Sequence, residues 1–327
     1  TVLYTGNGSY GKTVTGVGFQ PDFVWIKGRS NADNHNLYDA VRGTDKALRS
    51  NTTDAELSSA NLLHSFDSDG FTVDDHTPIN RNGGTHVAWN WKASGGGTSN
   101  TDGTLTSNVS ANTVSGFSVA TYNGDGTNTS FGHGLGVKPK VTIVKHTNGS
   151  GENWMFWMDA TGNGTADVRV LLNTNNSNYG NYPVTFGTDT ITLNGVDAGW
   201  NGSGKSYVAY TFAEKTGYSK FGTYIGNGAT NNGTFLYLGF KPHFFLIKRL
   251  DTTEEWIMTD SKRGYPQSWN YLLASTNGAE ASGLPYDFLS NGVKFMGTTQ
   301  NVSGATYMYM AFGQPLVGSN NVPCTAR

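Results

Sequence analysis

A single cysteine, Cys324, in 327 residues means that no internal disulfide can close, so whatever fixes this fold is noncovalent. Scarce cysteine also fits folding in a cytoplasm, without excluding later release. Charge is thin as well. Asp, Glu, Lys and Arg make up only 14% of the chain and leave a formal charge of −2. No basic field exists to hold a phosphate backbone, and nucleic acid is not an expected partner. No apolar run reaches the roughly 18 residues that a membrane helix needs, so membrane insertion is not expected. Strong helix formers other than alanine are few. The seven histidines form no His-x-His pair or Cys/His cluster, so neither a metal nor a cofactor is expected. No nucleophile elbow appears, and no second acid accompanies the one that recurs. The chain therefore reads as a non-enzyme.

What is present is glycine, 44 residues of it, with Asn, Thr and Ser crowding the gaps between short runs of Val, Phe, Tyr and Trp. Such punctuation predicts many short strands joined by turns. The strands repeat. An aromatic leads into a glycine turn at Tyr4-Thr-Gly-Asn-Gly8, Tyr122-Asn-Gly-Asp-Gly126 and Tyr224-Ile-Gly-Asn-Gly228. A Gly-x-x-Pro turn then feeds an apolar strand ending in lysine: Gly18 to Lys27, Gly136 to Lys145 and Gly239 to Lys248. Each copy closes on an aromatic strand, His86 to Trp91, Tyr207 to Phe212 and Tyr307 to Phe312. The copies run 4–91, 122–212 and 224–312, nearly equal in length. Each is too long for a stacked solenoid unit and long enough to bury a core of its own.

The expected fold is therefore all-β, with three tandem antiparallel β-sandwich modules of jelly-roll-like form. Module 1 spans 1–93, a Gly/Ser/Thr/Asn-rich linker 94–112, module 2 113–216 and module 3 217–314, with an extended tail over 315–327. The linker composition predicts an independent first module and a rigid pairing of the second and third. The segment Asp54 to Leu63 leaves a short helix open.

Several patterns offer chemistry. Gly199-Trp-Asn-Gly-Ser-Gly-Lys-Ser206 matches a phosphate loop, but a strand pattern follows where a helix is required, so a hairpin turn is expected. Asp67, Asp69, Asp74 and Asp75 sit in acidic turns that either bind calcium or brace the backbone; bracing is the commoner use. Asp39 with Arg42, and Asp260 with Arg263, read as turn braces, and Asp159 takes the same place without an arginine. Aromatics at the repeated anchors should be core. Trp154, Tyr179, Tyr182, Trp200, Trp269 and Tyr271 fall where the copies differ, as does Tyr286. Beside Asn, Asp and Gly such rings either stack on sugars or fill interfaces between copies or subunits.

With these anchors in view, the chain resembles a family of repeated domains in virion proteins of marine tailed bacteriophages. The residues that carry the likeness are Tyr4 to Gly8, Gly18-Phe-Gln-Pro-Asp-Phe-Val-Trp-Ile-Lys27, Asp39-Ala-Val-Arg-Gly43, Asp69-Gly-Phe71, Val87 to Lys92 and the closing Val322-Pro-Cys-Thr-Ala-Arg327. The first copy carries the pattern best and the second least. The resemblance implies a lectin-like sandwich of the concanavalin type on a virion surface, tail or capsid exterior, made in a host bacterial cytoplasm. It implies no catalytic or ligand residue. The expected function is a tail-fibre or adhesion component binding host-surface glycan or receptor. The alternatives are a capsid decoration or spike protein and a glycan-cleaving enzyme. Expected partners are other virion proteins, a host glycan and further copies of the chain in a homo-oligomer.

Overall fold

Short β-branched and aromatic runs between glycine turns pair into six sheets whose ladders are all antiparallel, three large and three small. The computed structural model describes residues 1–180, 183–264 and 269–314, with Trp269 described by its backbone alone. The first large sheet has the order β1 (Val2–Thr5), β9 (Thr85–Trp91), β3 (Phe23–Gly28), β4 (Asn36–Asp39), β5 (Gly43–Leu48), β6 (Leu57–Ser58), and its small sheet β2 (Lys12–Thr15), β8 (Gly70–Val73), β7 (Leu63–Asp67). The second large sheet runs β10 (Thr98–Asn100), β11 (Ser107–Asn112), β12 (Phe117–Asn123), β19 (Ser206–Phe212), β14 (Val141–His146), β15 (Met155–Met158), β16 (Val168–Leu171), with β13 (Thr129–Gly132), β18 (Thr190–Leu193), β17 (Val184–Phe186) as its small sheet. The third runs β20 (Ser219–Ile225), β28 (Thr306–Phe312), β22 (Phe244–Arg249), β23 (Ile257–Asp260), β24 (Trp269–Leu273), β25 (Ala281–Leu284), with β21 (Phe235–Tyr237), β27 (Gly292–Phe295), β26 (Tyr286–Leu289). Five strands keep the same order in all three; β10 and β11 extend the second sheet alone, and the sixth strand of the first and third sheets, β6 and β25, has no counterpart in the second.

Each large sheet buries one face against its own small sheet. Val24, Ile26 and Tyr38 meet Val14 and Phe71 in the first copy. Val144, Trp157 and Ala209 meet Phe131 and Ile191 in the second. Phe245, Ile247 and Tyr309 meet Leu236 and Val293 in the third. The other face is equally apolar, and the three large sheets turn these faces toward one another in a single common core. At its middle the last aromatics of the closing strands touch edge to face in a closed triangle. Trp91 and Phe212 lie 6.4 Å apart, Trp91 and Phe312 5.7 Å, and Phe212 and Phe312 5.6 Å. Only a 20 Å³ void remains among these rings.

Polar contacts repeat around the same ring. Glu56 donates its amide to the Thr147 carbonyl (2.8 Å), Asn178 to Leu250 (2.9 Å) and Glu280 to Arg29 (2.8 Å), which takes the contact from copy one to two, two to three and three to one. The residue just before β4, β15 and β23 reaches a carbonyl at the end of the preceding copy's fifth strand. Trp154 Nε1 donates to Arg49 (2.8 Å), Trp256 Nε1 to Leu171 (2.9 Å), and His35 Nε2 to Leu273 (3.0 Å). Lys27, Lys145 and Lys248, the lysines that end the second anchor, are buried at the rim of the common core. Lys145 Nζ donates to the Thr53 carbonyl of copy one, and Lys248 Nζ to the Asn175 carbonyl of copy two, both at 3.3 Å. Burial pulls all three ammonium groups down to about 8.

Two expectations change, and one left open is answered. The first copy is not independent: Trp25, Trp89 and Trp91 stand inside the common core, because both faces of its large sheet are apolar and water cannot be left on either. Residues 94–112 are not a simple linker, since β10 and β11 lie in them, β10 paired antiparallel with β11 and β11 with β12. Residues 54–63 form no helix; Leu57–Ser58 is β6, paired to β5 at Ala47 and Lys46. The only helix among the described residues is one turn, α1 (Thr77–Asn80), with proline in its first turn. The tail 315–327, with Cys324, lies outside the described residues.

Candidate functional site

Because β10 and β11 widen the second sheet beyond the shared strand plan, that sheet overhangs the first copy and leaves an open groove of 870 Å³ between them. Its floor is the end of β12 and the start of β19. Thr121 and Asn123 are on the face that Phe117 and Val119 use for the common core, but past the point where that core ends. Asn123 Oδ1 accepts from Ser206 Oγ (2.9 Å), and Asn148 Oδ1 accepts from the Ser206 amide (2.9 Å). One wall is Ser99, Thr106 and Asn108 from the added strands. The other is charged: Arg42 Nη1 meets Glu56 at 2.8 Å, and Lys46 Nζ meets Glu56 at 3.4 Å and Ser58 Oγ at 2.7 Å.

Arg42 ties this wall to the seam behind it. Its Nε bonds Asp39 Oδ2 at 2.6 Å, and the same oxygen accepts from Tyr210 Oη at 2.8 Å across the copy boundary. Burial works against the Arg42 charge, but Asp39, Tyr210 and Glu56 together raise its pKa. The third copy repeats the device: Arg263 Nε to Asp260 Oδ2 at 2.7 Å, with Trp89 Nε1 of the first copy donating to the same oxygen at 3.0 Å. These acid–arginine pairs brace turns, as the sequence pattern suggested. Asp159, without an arginine, accepts instead from the Gly162 amide at 2.6 Å and the Gly164 amide at 2.8 Å. The strand position held by Trp89 and Tyr210 is Met310 in the third copy, so a missing donor and a missing arginine go together.

Groove chemistry is that of hydroxyls, carboxamides and one ion-pair cluster. It can hydrogen-bond a hydroxyl-rich ligand, and its one serine–lysine contact, Ser58 with Lys46, involves an ammonium group that also pairs with Glu56. Elsewhere Ser261 Oγ lies 2.8 Å from His243 Nδ1, and among the described residues no carboxylate hydrogen-bonds that ring to complete a triad. Gly199 to Ser206 turns straight into β19, with the Gly204 amide bonded to the Gly124 carbonyl, so no helix opens toward a phosphate. The acidic turns serve the backbone: Asp69 accepts from Gly16 and Gly18, and Asp74 from Gly11. Among the described residues, no group of three or more His, Cys, Asp or Glu is placed to hold a metal ion. No helix of the described chain is long and apolar enough to cross a membrane.

Of the six aromatics singled out from the sequence, Trp154 is wholly buried in the common core and Trp200 is 5% exposed in the second sandwich. They differ between copies because they pack against different neighbours. Tyr271 is half-buried against the third sandwich core. Tyr179 is 46% exposed and shares the Arg169 guanidinium with Trp200, at 5.9 and 5.0 Å. Trp269 lies on β24, and Tyr182 is outside the described residues. Of the four whose side chains are described, Tyr179 and Trp200 meet over Arg169, while Trp154 and Tyr271 lie in separate cores. Sequence reading passed over the groove because its walls are ordinary Ser, Thr and Asn. The signal was that residues 94–112 alternate in strand fashion and have no counterpart before the other copies.

The family of domains of unknown function DUF7483 matches residues 1–315, and the chain belongs to it. No curated protein and no solved structure matches.

Proposed function

We propose that this member of a family without an assigned activity is a non-enzymatic structural protein of a bacteriophage virion exterior, acting as a tail-fibre or adhesion component that holds a host-surface glycan in the groove between the first two copies. The observation that carries the reading is the groove itself. A piece of chain outside the repeat, β10–β11, lays a row of hydroxyl and amide groups along it, with a charged wall opposite. Hydroxyls and carboxamides on rigid strands suit the recognition of sugar hydroxyls. The phage setting rests on the sequence likeness described above.

Purified protein added to host cells ahead of phage should bind them and block adsorption. Replacing Asn108 and Asn123 together by Ala should weaken binding by about tenfold, the loss of one or two hydrogen bonds. Cells that bind neither protein, or both equally, would remove the reading. A capsid decoration role is the second reading, and the closed ring of three aromatics favours it, since a body of near-threefold form suits a threefold position on a shell. Labelled antibody on intact particles separates tail from head.

A further inference from the structure

The three copies serve as internal controls for one another. On the outer face of each small sheet, away from the core, the edge strand presents two positions. In the first copy they are Thr13 and Thr15, paired with Thr72 and Gly70. In the second they are Ser130 and Gly132, paired with Thr192 and Thr190. In the third they are Phe235 and Tyr237, paired with Lys294 and Gly292. Leu236 between them points inward like Val14 and Phe131. Both rings are exposed, Phe235 by 43% and Tyr237 by 59%, and Leu289 stands across Gly292 from Tyr237. The same sheet is built twice in this chain without aromatics at these places, so folding does not require them.

The rings are also held in place. A Cβ on Gly292 would lie 3.1 Å from Phe235 Cε2, so that ring leans over the bare glycine backbone. Lys220 Nζ donates to the Tyr237 carbonyl at 2.9 Å and stands 5.4 Å from the centre of its ring. Lys294 separates Phe235 from Asp287 in a cross-strand row, its Nζ bonded to Gly233 and Asn232. In register with Lys294, the other copies carry Thr72 and Thr192. In register with Lys220, opposite the residue before the final aromatic, the second copy carries Ser118. Two rings and two cations therefore meet around one edge strand of one copy, Lys294 from the small sheet and Lys220 reaching Tyr237 from the large one.

We propose that the outer face of the third small sheet is a binding site for an acidic polysaccharide. Phe235 and Tyr237 stack on the C–H faces of successive sugar rings, and Lys220 and Lys294 take their carboxylates. Stacking alone would serve a neutral sugar; the paired gain of two ammonium groups commits the site to an anionic one. This site is separate from the groove and shares with the reading above only its broad ligand class.

The test is affinity electrophoresis of the whole chain through gels containing sodium polygalacturonate, a uronic-acid polymer, or neutral dextran. Retardation is expected in polygalacturonate and not in dextran. The double variant Phe235→Thr, Tyr237→Thr installs the first copy's residues and should fold. It should lose at least tenfold in affinity, as should Lys220→Ser with Lys294→Thr. The groove variant Asn108→Ala, Asn123→Ala should be retarded like the parent. Parent protein that ignores polygalacturonate, a ring variant that binds it undiminished, or equal retardation by dextran would each overturn the site. A groove variant that alone loses binding would move the ligand to the groove.

Discussion

Acid should open this molecule first at the seam between the first and third copies, and the reason is His35. Its ring is fully buried, with Nδ1 accepting from Trp25 Nε1 at 2.8 Å and Nε2 donating to the Leu273 carbonyl at 3.0 Å. Both ring nitrogens are committed to the neutral tautomer, and a proton on Nδ1 would face the indole N–H. Burial, with Lys27 nearby, depresses the pKa from 6.5 to about 3. The folded value lies below the unfolded one, so the contribution to stability is complete above about pH 6.5 and declines as pH falls toward 3. At about 1.4 kcal/mol per tenfold, some 5 kcal/mol is at stake, of which about 3 kcal/mol is gone by pH 4. The other copies solve this position differently, pairing Trp154 with Ile143 and Trp256 with Leu246 in place of His35 with Trp25. Trp25→Leu should leave a cavity and an unpartnered Nδ1, at about 3 kcal/mol or more. His35→Trp should overpack by about 1–3 kcal/mol. The double variant should recover much of both losses by adopting the other copies' packing, with coupling above about 2 kcal/mol. Urea unfolding followed at about pH 4 and pH 7 reads the result. The double variant should lose about 3 kcal/mol less than the parent on acidification, His86, held at about 4 by burial, being common to both. An unchanged pH dependence, or strict additivity of the two single losses, would refute the argument.

Other outcomes follow from the seams. Arg263→Met leaves Asp260 charged and buried, and should cost about 3–5 kcal/mol in chemical denaturation; adding Asp260→Asn should return part of it. Toward alkali, Lys27, Lys145 and Lys248 have folded values near 8, below the ordinary 10.5. Stability should therefore rise as pH climbs from about 8 toward 10. It should then fall, because burial pushes Tyr38, Tyr210 and Tyr286 above their ordinary value and they resist ionising in the folded chain. A melting temperature that declines steadily from pH 8 would contradict this. Gly103→Ala would place a Cβ 2.4 Å from the Ser130 carbonyl oxygen, and should loosen β10–β11 from the body. Limited proteolysis near residues 94–112 should then accelerate while the melting temperature changes little.

The repeat, its anchors and the all-β character could be read from the chain, because glycine turns and aromatic strand ends are local signals. The common core could not be read so directly, although Phe23-Val24-Trp25-Ile26 held the clue. An unbroken apolar run, rather than an alternating one, belongs to a strand covered on both faces. At Trp154, variation between copies marked an interface between copies and not a sugar site. Trp154 is not a rim residue but one half of a compensated pair, since the space that Trp25 fills in the first copy is filled from the other side in the second. Only spatial partners reveal such an exchange. Phe235 and Tyr237 escaped for a different reason: they lie between two anchors, in a stretch the repeat did not single out, and only the register of β21 against β27 turns them outward.

Three separate polypeptides closing a ring like the one around Trp91, Phe212 and Phe312 would have to carry every substitution three times over, on all sides at once. Fused end to end, each side answers to its own codons. One side can acquire a pair of exposed rings and another an extra pair of strands, while the untouched remainder keeps the hub intact.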